Sequence, residues 1–472
     1  MQQFMGCSAR TLRSGSVLLL AVLAGSTWAT TPRVIYSNIA SDPTSAIPGG
    51  GTWDNEFSFF TLNISTSGEY WLLNHQGVAD DSEVLVVGTG TSGSVVLAEG
   101  IDGFDGRLVD GIDSSGRINN AGQWVVGADL DGDTSTDDVI LGGNLSGVTT
   151  LYAQEGEAID TGFGFGPGNT WDVLDSTAID QSGRVYWVSD AVDGSSFSSS
   201  TNEIIVSSDF RVIAQKGVDV PGNQSTSPRA FDDFDLDDFH VSDDGSSWLV
   251  RGDIGTPTSD DDALFVNGNI VVRENFTLSQ TGITGADGLA QVVDGLTGGI
   301  DQQFMAGNGD WYVFGQFADQ ATDWAIRNGE LIASSGDEIF AGANEFWDAP
   351  GEGVQDFSLL VGNSLGDYIL GGLTTSGETA IVLNSEEVVL RSGDAVDLDG
   401  DGTLDDVFID SFEFQETRLG DNLVLYALVN FRDRLGFGLG SGFISVQIPA
   451  PGSAGLLLLS GLAVSRRRRQ EH

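Results

Sequence analysis

Cysteine, histidine and lysine are almost absent from this sequence. The one cysteine is Cys7, the one lysine is Lys216, and the three histidines are His75, His240 and His472. An internal disulfide is excluded because it needs two cysteines. Histidine-based nucleophilic triads and zinc clusters of Cys and His also lack the residues that they require. We expect His75, which follows a predicted strand, to be a polar surface residue.

Positive charge is scarce as well. The chain has 20 Lys and Arg residues against 69 Asp and Glu residues, which gives a formal net charge of −49. A field of this sign repels nucleic acid and favours metal cations, so we expect no nucleic-acid partner. Carboxylate pairs of the kind that glycosidases use are expected by chance in so acidic a chain, and they indicate no catalysis by themselves.

Between the two ends of the chain, no long segment has apolar residues at the spacing of a helix, and the sequence contains only 10 prolines. The sequence contains 65 glycines and is rich in Val, Ile, Phe, Trp and Thr. This composition is typical of an all-β protein with many turns.

A short polar turn that ends in glycine recurs along the chain at intervals of about sixty residues. Its copies close at Gly68, Gly122, Gly183, Gly245, Gly309, Gly366 and Gly420. Glycine suits the last position of a hairpin loop, where φ is often positive. A large aromatic follows six of these glycines, and Leu423 follows the seventh; the aromatics are Tyr70, Trp124, Tyr186, Trp248, Trp311 and Tyr368. Because the position repeats from unit to unit, we expect these side chains to pack in a core and not to stack on sugars.

Each repeated unit predicts four strands. One strand precedes the turn, one follows it, and two apolar segments such as "EIIVS" (203–207) and "VIAQKG" (212–217) complete the unit. Seven such units predict an all-β fold, a seven-bladed β-propeller of four-stranded blades over residues 33–446. The alternative is another tandem β-repeat array, such as a row of β-sandwiches, but no Pro/Ser-rich linker separates the units.

The two ends of the repeat region complement each other. Residues 33–38 resemble a unit-ending strand that no turn precedes, and the unit that contains Gly420 lacks its last strand. We therefore expect residues 33–38 to complete that unit and close the ring, because closure removes two exposed strand edges.

The N-terminus carries an export signal. Residues 1–29 contain arginines, then the short apolar run "VLLLAVLAG" (17–25), and then small residues at Thr27 and Ala29. This order predicts a secretory signal peptide that is cleaved near Ala29.

Residues 447–472 are predicted to be a second address signal, and the alternative is a marginal membrane anchor at the end of the chain. The motif Pro449-Ala450-Pro451 is followed by a short apolar stretch and by the four arginines 466–469. This order resembles the PEP-CTERM sorting tails of Gram-negative bacteria, with alanine at the usual glutamate position. The resemblance implies transient anchoring in the inner membrane, processing there by an exosortase-type enzyme, and a final location at the cell surface or in the extracellular matrix. The repeats also resemble the NxxG-type tandem repeats that accompany such tails, which implies no activity.

Two acidic segments share one pattern, "DLDGDGTLDD" at 397–406 and "DLDGDTSTDD" at 129–138. In the later segment, carboxylates fall at positions 1, 3, 5 and 9 of a calcium loop and Gly402 stands at its sharp turn. Phe408 at position 12 excludes an EF-hand. The segment resembles the Asp-x-Asp-Gly-Asp-Gly-x-x-Asp loops of integrin-type propellers, which bind calcium. The predicted ligands are Asp397, Asp399, Asp401, the carbonyl of Thr403, and Asp405.

The earlier segment keeps the spacing with Asp129, Asp131, Asp133 and Asp137, but Thr134 replaces the glycine of the turn. Either segment could instead be a solvated acidic turn. The earlier one is predicted to link two middle strands of a unit, and the later one to join two units. Calcium at either place would brace loops and would not perform chemistry.

These observations predict an exported surface or matrix propeller with a structural or ligand-binding role, braced by calcium. Its partners would be the inner-membrane processing enzyme and a surface polysaccharide or another surface protein. The alternative is a secreted polysaccharide-active enzyme, a glycosidase or lyase, on the same scaffold. That alternative requires carboxylates and aromatics to converge at the channel of the propeller.

Overall fold

The computed structural model describes residues 31–39, 42–53, 61–76, 82–104, 106–113, 115–192, 196–218, 230–234, 239–255, 261–286, 289–295, 299–319, 322–347 and 356–449. These residues belong to one compact unit, Ala29–Ala450. The predicted signal peptide and most of the predicted sorting tail lie outside the described residues, so both remain predictions. In the described part of the chain, no helix is long and apolar enough to cross a membrane.

The chain forms a seven-bladed β-propeller whose blades are antiparallel sheets of mostly four strands. Strand β1 (Arg33–Ser37) precedes the first complete blade. Blade 1 contains β2 (Leu62–Ile64), β3 (Tyr70–Gln76), β4 (Glu83–Thr89) and β5 (Ser92–Ala98). Blade 2 contains β6 (Gly103–Phe104), β7 (Arg107–Ile112), β8 (Arg117–Ile118), β9 (Trp124–Leu130), β10 (Asp138–Asn144) and β11 (Gly147–Gln154). Blade 3 contains β12 (Thr170–Ile179), β13 (Val185–Val192), β14 (Glu203–Ser207) and β15 (Arg211–Gln215).

The remaining blades follow the same order. Blade 4 contains β16 (Phe231–Phe234), β17 (His240–Val241), β18 (Trp248–Ile254), β19 (Asp262–Val266) and β20 (Asn269–Arg273). Blade 5 contains β21 (Gln302–Met305), β22 (Trp311–Gln316), β23 (Asp323–Arg327) and β24 (Glu330–Ser334). Blade 6 contains β25 (Phe357–Gly362), β26 (Tyr368–Leu373), β27 (Thr379–Leu383) and β28 (Glu387–Arg391). Blade 7 contains β29 (Val407–Leu419), β30 (Val424–Asp433) and β31 (Gly438–Gln447), and β1 is its fourth strand. In the described segments, short 3₁₀ helices lie at Pro43–Ser45, Thr161–Phe163 and Leu278–Thr281.

The N-terminal strand closes the ring as predicted. Strand β1 pairs antiparallel with β31, with Arg33 opposite Ser445 and Ser37 opposite Gly442. Strand β29, the first strand of blade 7, in turn contacts β2 of blade 1 and β25 of blade 6. The blades therefore form a closed circle, and blade 7 joins the two ends of the chain.

The hydrophobic core is divided among the blade junctions. The described residues form seven buried clusters, and each combines side chains of two neighbouring blades. For example, Leu62 and Trp71 of blade 1 pack with Ile35, Tyr36 and Phe443 of blade 7. Burying a side chain of this size contributes about 1.5–3 kcal/mol. The apolar contacts thus hold blades to one another as well as strands within a blade.

The turn between the first two strands of each blade has the repeated structure that the sequence predicts, with one shift of register. In blades 1 to 6 the predicted glycine donates its N–H to a carbonyl three residues earlier and has positive φ, as Gly122 does to Asn119 (φ 69°). In blade 7 the corresponding donor is Leu423, which bonds to the carbonyl of Gly420 at φ 57°. The seventh turn therefore closes at Leu423, and Gly420 is its first residue.

The repeated aromatics are core residues, as predicted. Trp124, Tyr186 and Tyr368 are buried, and Tyr70, Trp248 and Trp311 pack partly buried against the clusters. Trp124 donates its Nε1–H to the carbonyl of Asn144 in the next hairpin (2.9 Å). A Cβ at Gly143 would lie 2.4 Å from its ring, so only glycine fits opposite this tryptophan. With the seventh turn closing at Leu423, Tyr426 becomes the buried aromatic of blade 7.

Candidate metal site and central cavity

The later acidic loop, residues 397–406, connects blade 6 to blade 7 as predicted. It brings together Asp397, Asp399 and Asp405, whose carboxylates each offer one oxygen within 4.8 Å of the others. Asp397 is buried, whereas Asp399 is exposed. Oxygen ligands at this spacing suit a hard cation such as calcium, which takes six to eight oxygens. The carboxylate of the predicted ligand Asp401 lies outside this group, on the exposed part of the loop. Thr403 is also exposed, and its carbonyl remains a predicted ligand.

Backbone N–H groups hold these carboxylates in place. Gly400 and Gly402 donate to the two oxygens of Asp397 (2.8 and 3.0 Å), and Leu398 donates to Asp405 (2.7 Å). Gly400 and Gly402 both have positive φ, at 75° and 87°. The loop is thus wound around Asp397 in a conformation that its glycines permit.

The same loop is bonded to the N-terminal strand. The N–H of Val34 donates to the carbonyl of Asp397 (3.0 Å), and the N–H of Asp397 donates to the carbonyl of Pro32 (2.8 Å). A Cβ at Gly400 would lie 2.7 Å from a guanidinium nitrogen of Arg33, so that side chain covers the loop. The candidate metal site therefore lies where the two ends of the propeller meet.

The earlier acidic loop links β9 to β10 within blade 2, also as predicted, but an arginine occupies it. Arg107 donates from Nε to the carbonyl of Asp131 (2.5 Å) and from its terminal nitrogens to the carbonyls of Leu130 (2.9 Å) and Thr136 (2.7 Å). The carboxylate of Asp133 accepts hydrogen bonds from the N–H and the hydroxyl of Ser135. The guanidinium thus supplies the positive charge that a metal would supply in such a loop.

The four acidic residues predicted as ligands of this loop are not brought together. Asp137 instead groups with Asp138 and Glu155, which the sequence analysis did not select. Asp129 stands opposite Asp138 on the neighbouring strand. Burial and the hydrogen-bonded Asp129 raise the pKa of Asp138 to about 7, because two carboxylates this close resist ionising together. This second triad could also hold a cation.

The centre of the ring contains a cavity of about 100 Å³. In each blade, the strand that leads into the repeated turn is the inner strand. The cavity is lined by the last residues of these inner strands and by the turns that follow them, with contributions from all seven blades. Its polar and charged lining residues are Asn63, Thr66, Arg117, Gln181, His240, Asp243, Asn363, Ser364 and Arg418. In this lining Asp243 is the single carboxylate and Phe304 the single Phe, Tyr or Trp.

The turns lie in a ring at this end of the channel, and most neighbouring turns are hydrogen-bonded to each other. The N–H of Gln181 donates to the carbonyl of Asp243 (2.8 Å) and that of Asp421 to the carbonyl of Thr66 (2.9 Å). The N–H of Asn120 donates to the side chain of Gln181 (2.9 Å), and that of Ser364 to the side chain of Asp421 (2.7 Å). The carboxylate of Asp243 also accepts from the Thr66 hydroxyl (2.6 Å) and from the Gln181 amide (3.0 Å). Thr66 belongs to blade 1 and Asp243 to blade 4, so this bond crosses the axis of the ring.

Basic side chains converge below this ring of turns. Arg117, His240 and Arg418 occupy the same position on three inner strands, two residues before the turn begins. Burial and the charges of the two arginines lower the pKa of His240 well below its usual value, so this imidazole is neutral. Glu416 lies 3.8 Å from Arg418, and its carboxylate also accepts the N–H of Leu62 (2.5 Å). The sequence analysis missed these residues, although their fixed offset from the turns was a readable signal.

Buried and half-buried carboxylates also join neighbouring blades near the opposite ends of the strands. Glu83 of blade 1 accepts the N–H of Ile112 in blade 2 (2.6 Å), and Glu203 of blade 3 accepts that of Phe234 in blade 4 (2.7 Å). Asp323 of blade 5 accepts the N–H of Asp356 in front of blade 6 (2.5 Å). Each of the three acids starts the third strand of its blade. These acids hold neighbouring blades together through hydrogen bonds. Some of the acidic residues therefore stabilise the fold in addition to contributing to the negative charge of the protein.

His75 differs from the expectation of a surface residue. Its side chain is fully buried and its ring stacks on Trp53, with centroids 5.1 Å apart. The polar residues of the surrounding "LLNHQG" indicated an exposed position. The position is buried because β3 is a middle strand whose two faces are both covered.

Comparisons with known proteins support only the fold. No protein-family model and no curated protein matches the sequence. Among solved structures, the chain is similar to the Dos1 propeller, at 8% identity and a TM-score of 0.35 over 82% of this chain and 77% of that one. It is also similar to an oligogalacturonate lyase in complex with manganese, at 8% identity and a TM-score of 0.40 over 84% of this chain and 90% of that one. A third similarity, to prolyl oligopeptidase B from Galerina marginata, has 10% identity and a TM-score of 0.34 over 79% of this chain and 46% of that one. At these values the similarities carry no argument about activity or metal.

Proposed function

We propose that this protein is an exported propeller of the cell surface or extracellular matrix, with a structural or ligand-binding role and a calcium brace at Asp397, Asp399 and Asp405. One observation carries the brace. The loop that gathers these carboxylates is bonded to strand β1, which closes the ring. A cation there would stabilise the junction on which closure of the whole propeller depends.

The electrostatics of the loop support a cation. Five acidic residues lie between 397 and 406 in a chain of net charge −49, and like charges this close repel each other. The backbone N–H groups around Asp397 and Asp405 offset part of that repulsion. A divalent ion would offset more, and three carboxylates leave room for carbonyl and water ligands in its shell.

The proposed address depends on the two ends of the sequence. The signal-like residues 1–29 and the tail 447–472 support export from a Gram-negative-type cell and handling by an inner-membrane processing enzyme. A surface polysaccharide or another surface protein is the proposed partner outside the cell. The acidic field argues against nucleic acid.

A binding role is favoured over a polysaccharide-cleaving one. Carbohydrate cleavage by paired carboxylates needs two such groups across the scissile bond. The described residues that line the central cavity include one carboxylate, and Asp243 already accepts two side-chain hydrogen bonds. Among the described residues, the lining therefore does not present the convergent acids and aromatics that the enzymatic alternative requires.

Calcium titration of thermal stability tests the brace. Extracellular calcium modules bind at roughly 0.1–1 mM, and a hundredfold excess over Kd stabilises the folded state by about 2.7 kcal/mol. We expect millimolar calcium to raise the Tm of the wild type, and we expect Asp399→Asn/Asp405→Asn to abolish most of the rise. Asparagine keeps the acceptor oxygens and removes the charge.

The matched control is Asp131→Asn/Asp133→Asn, which removes the same charge from the loop that Arg107 occupies. This variant should keep the calcium response. If calcium and magnesium shift all three proteins equally, the ions only screen the net charge and the brace is wrong.

The address is tested separately by cell fractionation. Deleting residues 449–472 should release the protein from the inner membrane and from the surface into the medium. Retention of the truncated protein in the same fraction as the full chain would contradict the sorting role, whatever the calcium result.

A further inference from the structure

The central cavity places positive side chains together in a strongly negative protein. Arg117 and Arg418 line it from blades 2 and 7, and both lie close enough to His240 to lower its pKa. The chain has only 20 Lys and Arg residues. Two of them stand at the same offset from their turns and line one small space. Backbone carbonyls hold both guanidiniums there, those of Ser115 and Gly116 for Arg117 and those of Gln415 and Thr417 for Arg418.

From this arrangement we infer that the cavity binds a small oxyanion through Arg117, His240 and Arg418. The oxyanion is a phosphate or sulfate ion, or the sulfate or carboxylate group of a sugar. This inference does not rest on the calcium brace, because the cavity and the loop 397–406 share no residue.

The donors needed for an anion are present in the cavity wall. The Nε–H of Arg418 is buried and has no hydrogen-bond partner in the structure. The His240 ring touches the edge of Phe304 and makes no hydrogen bond to the described residues. A buried donor without a partner costs free energy, and an oxyanion would satisfy it with a charge-assisted bond.

The negative groups near the cavity are already engaged. Asp243 accepts bonds from Thr66 and Gln181 in the ring of turns, and Glu416 accepts the N–H of Leu62. Arg418 pairs with Glu416 at 3.8 Å, which is long for a direct hydrogen bond. The guanidinium is therefore held in position without being fully neutralised.

The size of the cavity limits the ligand. A volume of about 100 Å³ exceeds what one water molecule needs, but it does not accommodate an oligosaccharide. An ion or one acidic substituent fits. Asn63 and Ser364 add amide and hydroxyl groups to the lining, which can bond the oxygens that the arginines leave free.

Isothermal titration of the full chain with sodium sulfate, sodium phosphate and sodium galacturonate, each against sodium chloride at equal ionic strength, tests the inference. We expect saturable one-site binding of at least one oxyanion. Loss of one charged donor should weaken it about ten- to hundredfold in Arg117→Gln and in Arg418→Gln. Binding of sulfate or phosphate shows that the inorganic oxyanion suffices by itself, and binding of galacturonate alone shows that the site takes the carboxylate of a sugar.

Arg211→Gln is the control, because it removes one positive charge from the exposed outer strand of blade 3. It should bind like the wild type. An equal loss in this variant, or no saturable binding of any oxyanion by the wild type, would overturn the inference. If Arg418→Gln fails to fold because Glu416 loses its partner, Arg117→Gln alone decides the outcome.

His240 gives an independent readout. The chain has three histidines, so His240→Gln identifies its NMR signals by difference. A bound anion favours the charged imidazolium, so the pKa of His240 should rise when the site is saturated. An unchanged titration of His240 at a saturating oxyanion concentration would also overturn the inference.

Discussion

The two acidic loops have nearly the same sequence but are stabilised in different ways. In the loop 129–138, the guanidinium of Arg107 donates to three backbone carbonyls. In the loop 397–406, Asp397, Asp399 and Asp405 converge and the backbone N–H groups point to the carboxylates. The first loop has its carbonyls turned towards a cation that the chain supplies. The second gathers three carboxylates that could hold a cation.

The comparison shows that one acidic motif can meet the same electrostatic need by two routes. The route depends on what lies beside the loop. Arg107 stands on β7, which pairs with the strand leading into the first loop. Arg33, beside the second loop, covers Gly400 from outside. A sequence match to a calcium loop therefore does not predict a metal site until the position of the nearest arginine side chain is known.

The largest expected effect comes from removing the internal cation. Arg107→Ala leaves the carbonyls of Leu130, Asp131 and Thr136 without their donor, and the free energy of unfolding should fall by about 2 kcal/mol. Arg107→Lys should lose most of the same amount, because one ammonium cannot reproduce the fork of donors. Urea denaturation measures both. Arg211→Ala, an exposed arginine, should change stability by less than about 1 kcal/mol, and equal effects at 107 and 211 would contradict the role of Arg107.

The same substitution can convert one loop towards the other. In the Asp399→Asn/Asp405→Asn background, Arg107→Ala frees three carbonyls beside Asp131 and Asp133. We expect calcium to raise the Tm of this triple variant more than that of its parent. No difference between the two would mean that the first loop needs its arginine for shape and not for charge.

A smaller effect is expected at the turn position that distinguishes the two sequences. Gly402 has φ of 87°, where a β-branched residue is strained, so Gly402→Thr should cost about 1–2 kcal/mol. Thr134, the corresponding residue of the first loop, has no positive φ. Thr134→Gly should cost at most about 1 kcal/mol through added chain entropy. Thermal denaturation of the pair measures this, and equal costs would show that the loops share one backbone conformation.

The last prediction separates the acids of the loops from the acids between blades by the pH dependence of stability. Burial and the neighbouring Asp233 raise the pKa of Glu203 to about 9. The protonated acid therefore stabilises the fold below pH 4.5, and that contribution is lost as the pH rises towards 9. Glu203→Gln keeps an acceptor for Phe234 and should flatten the fall of Tm over this range, with Lys216 at 3.9 Å limiting the change. Asp399→Asn/Asp405→Asn should leave the slope intact, and the opposite result would assign the pH response to the loop.

The repeats made the architecture predictable from sequence. Seven turns at near-equal spacing determine the number of blades, and the unpaired segment at 33–38 predicts the closing strand. The error at Gly420 arose because glycine was used to set the register. In blade 7 the left-handed position is occupied by Leu423, which packs against the cluster between blades 6 and 7. Tertiary packing there outweighs the usual preference for glycine.

The candidate sites were only partly predictable. The spacing of Asp397, Asp399 and Asp405 shows in the sequence, because those ligands share one loop. The group of Asp137, Asp138 and Glu155 involves a pairing between strands that no short motif records. Arg117, His240 and Arg418 are farther apart still, and only ring closure brings them to one cavity. Residues that meet at the axis of a propeller can be predicted once the inner strands are aligned with one another on their turns.

Closure by the first strand has a consequence for the timing of synthesis. Residue 33 pairs with residue 445, so β1 is made long before its partner. At roughly 5–20 residues per second, that strand waits about 20–80 s with an unpaired edge. The complete ring therefore cannot form as the chain emerges, and any product that stops short of β31 keeps two open edges of the kind that templates aggregation. A premature stop late in the reading frame should be as harmful to this protein as an early one.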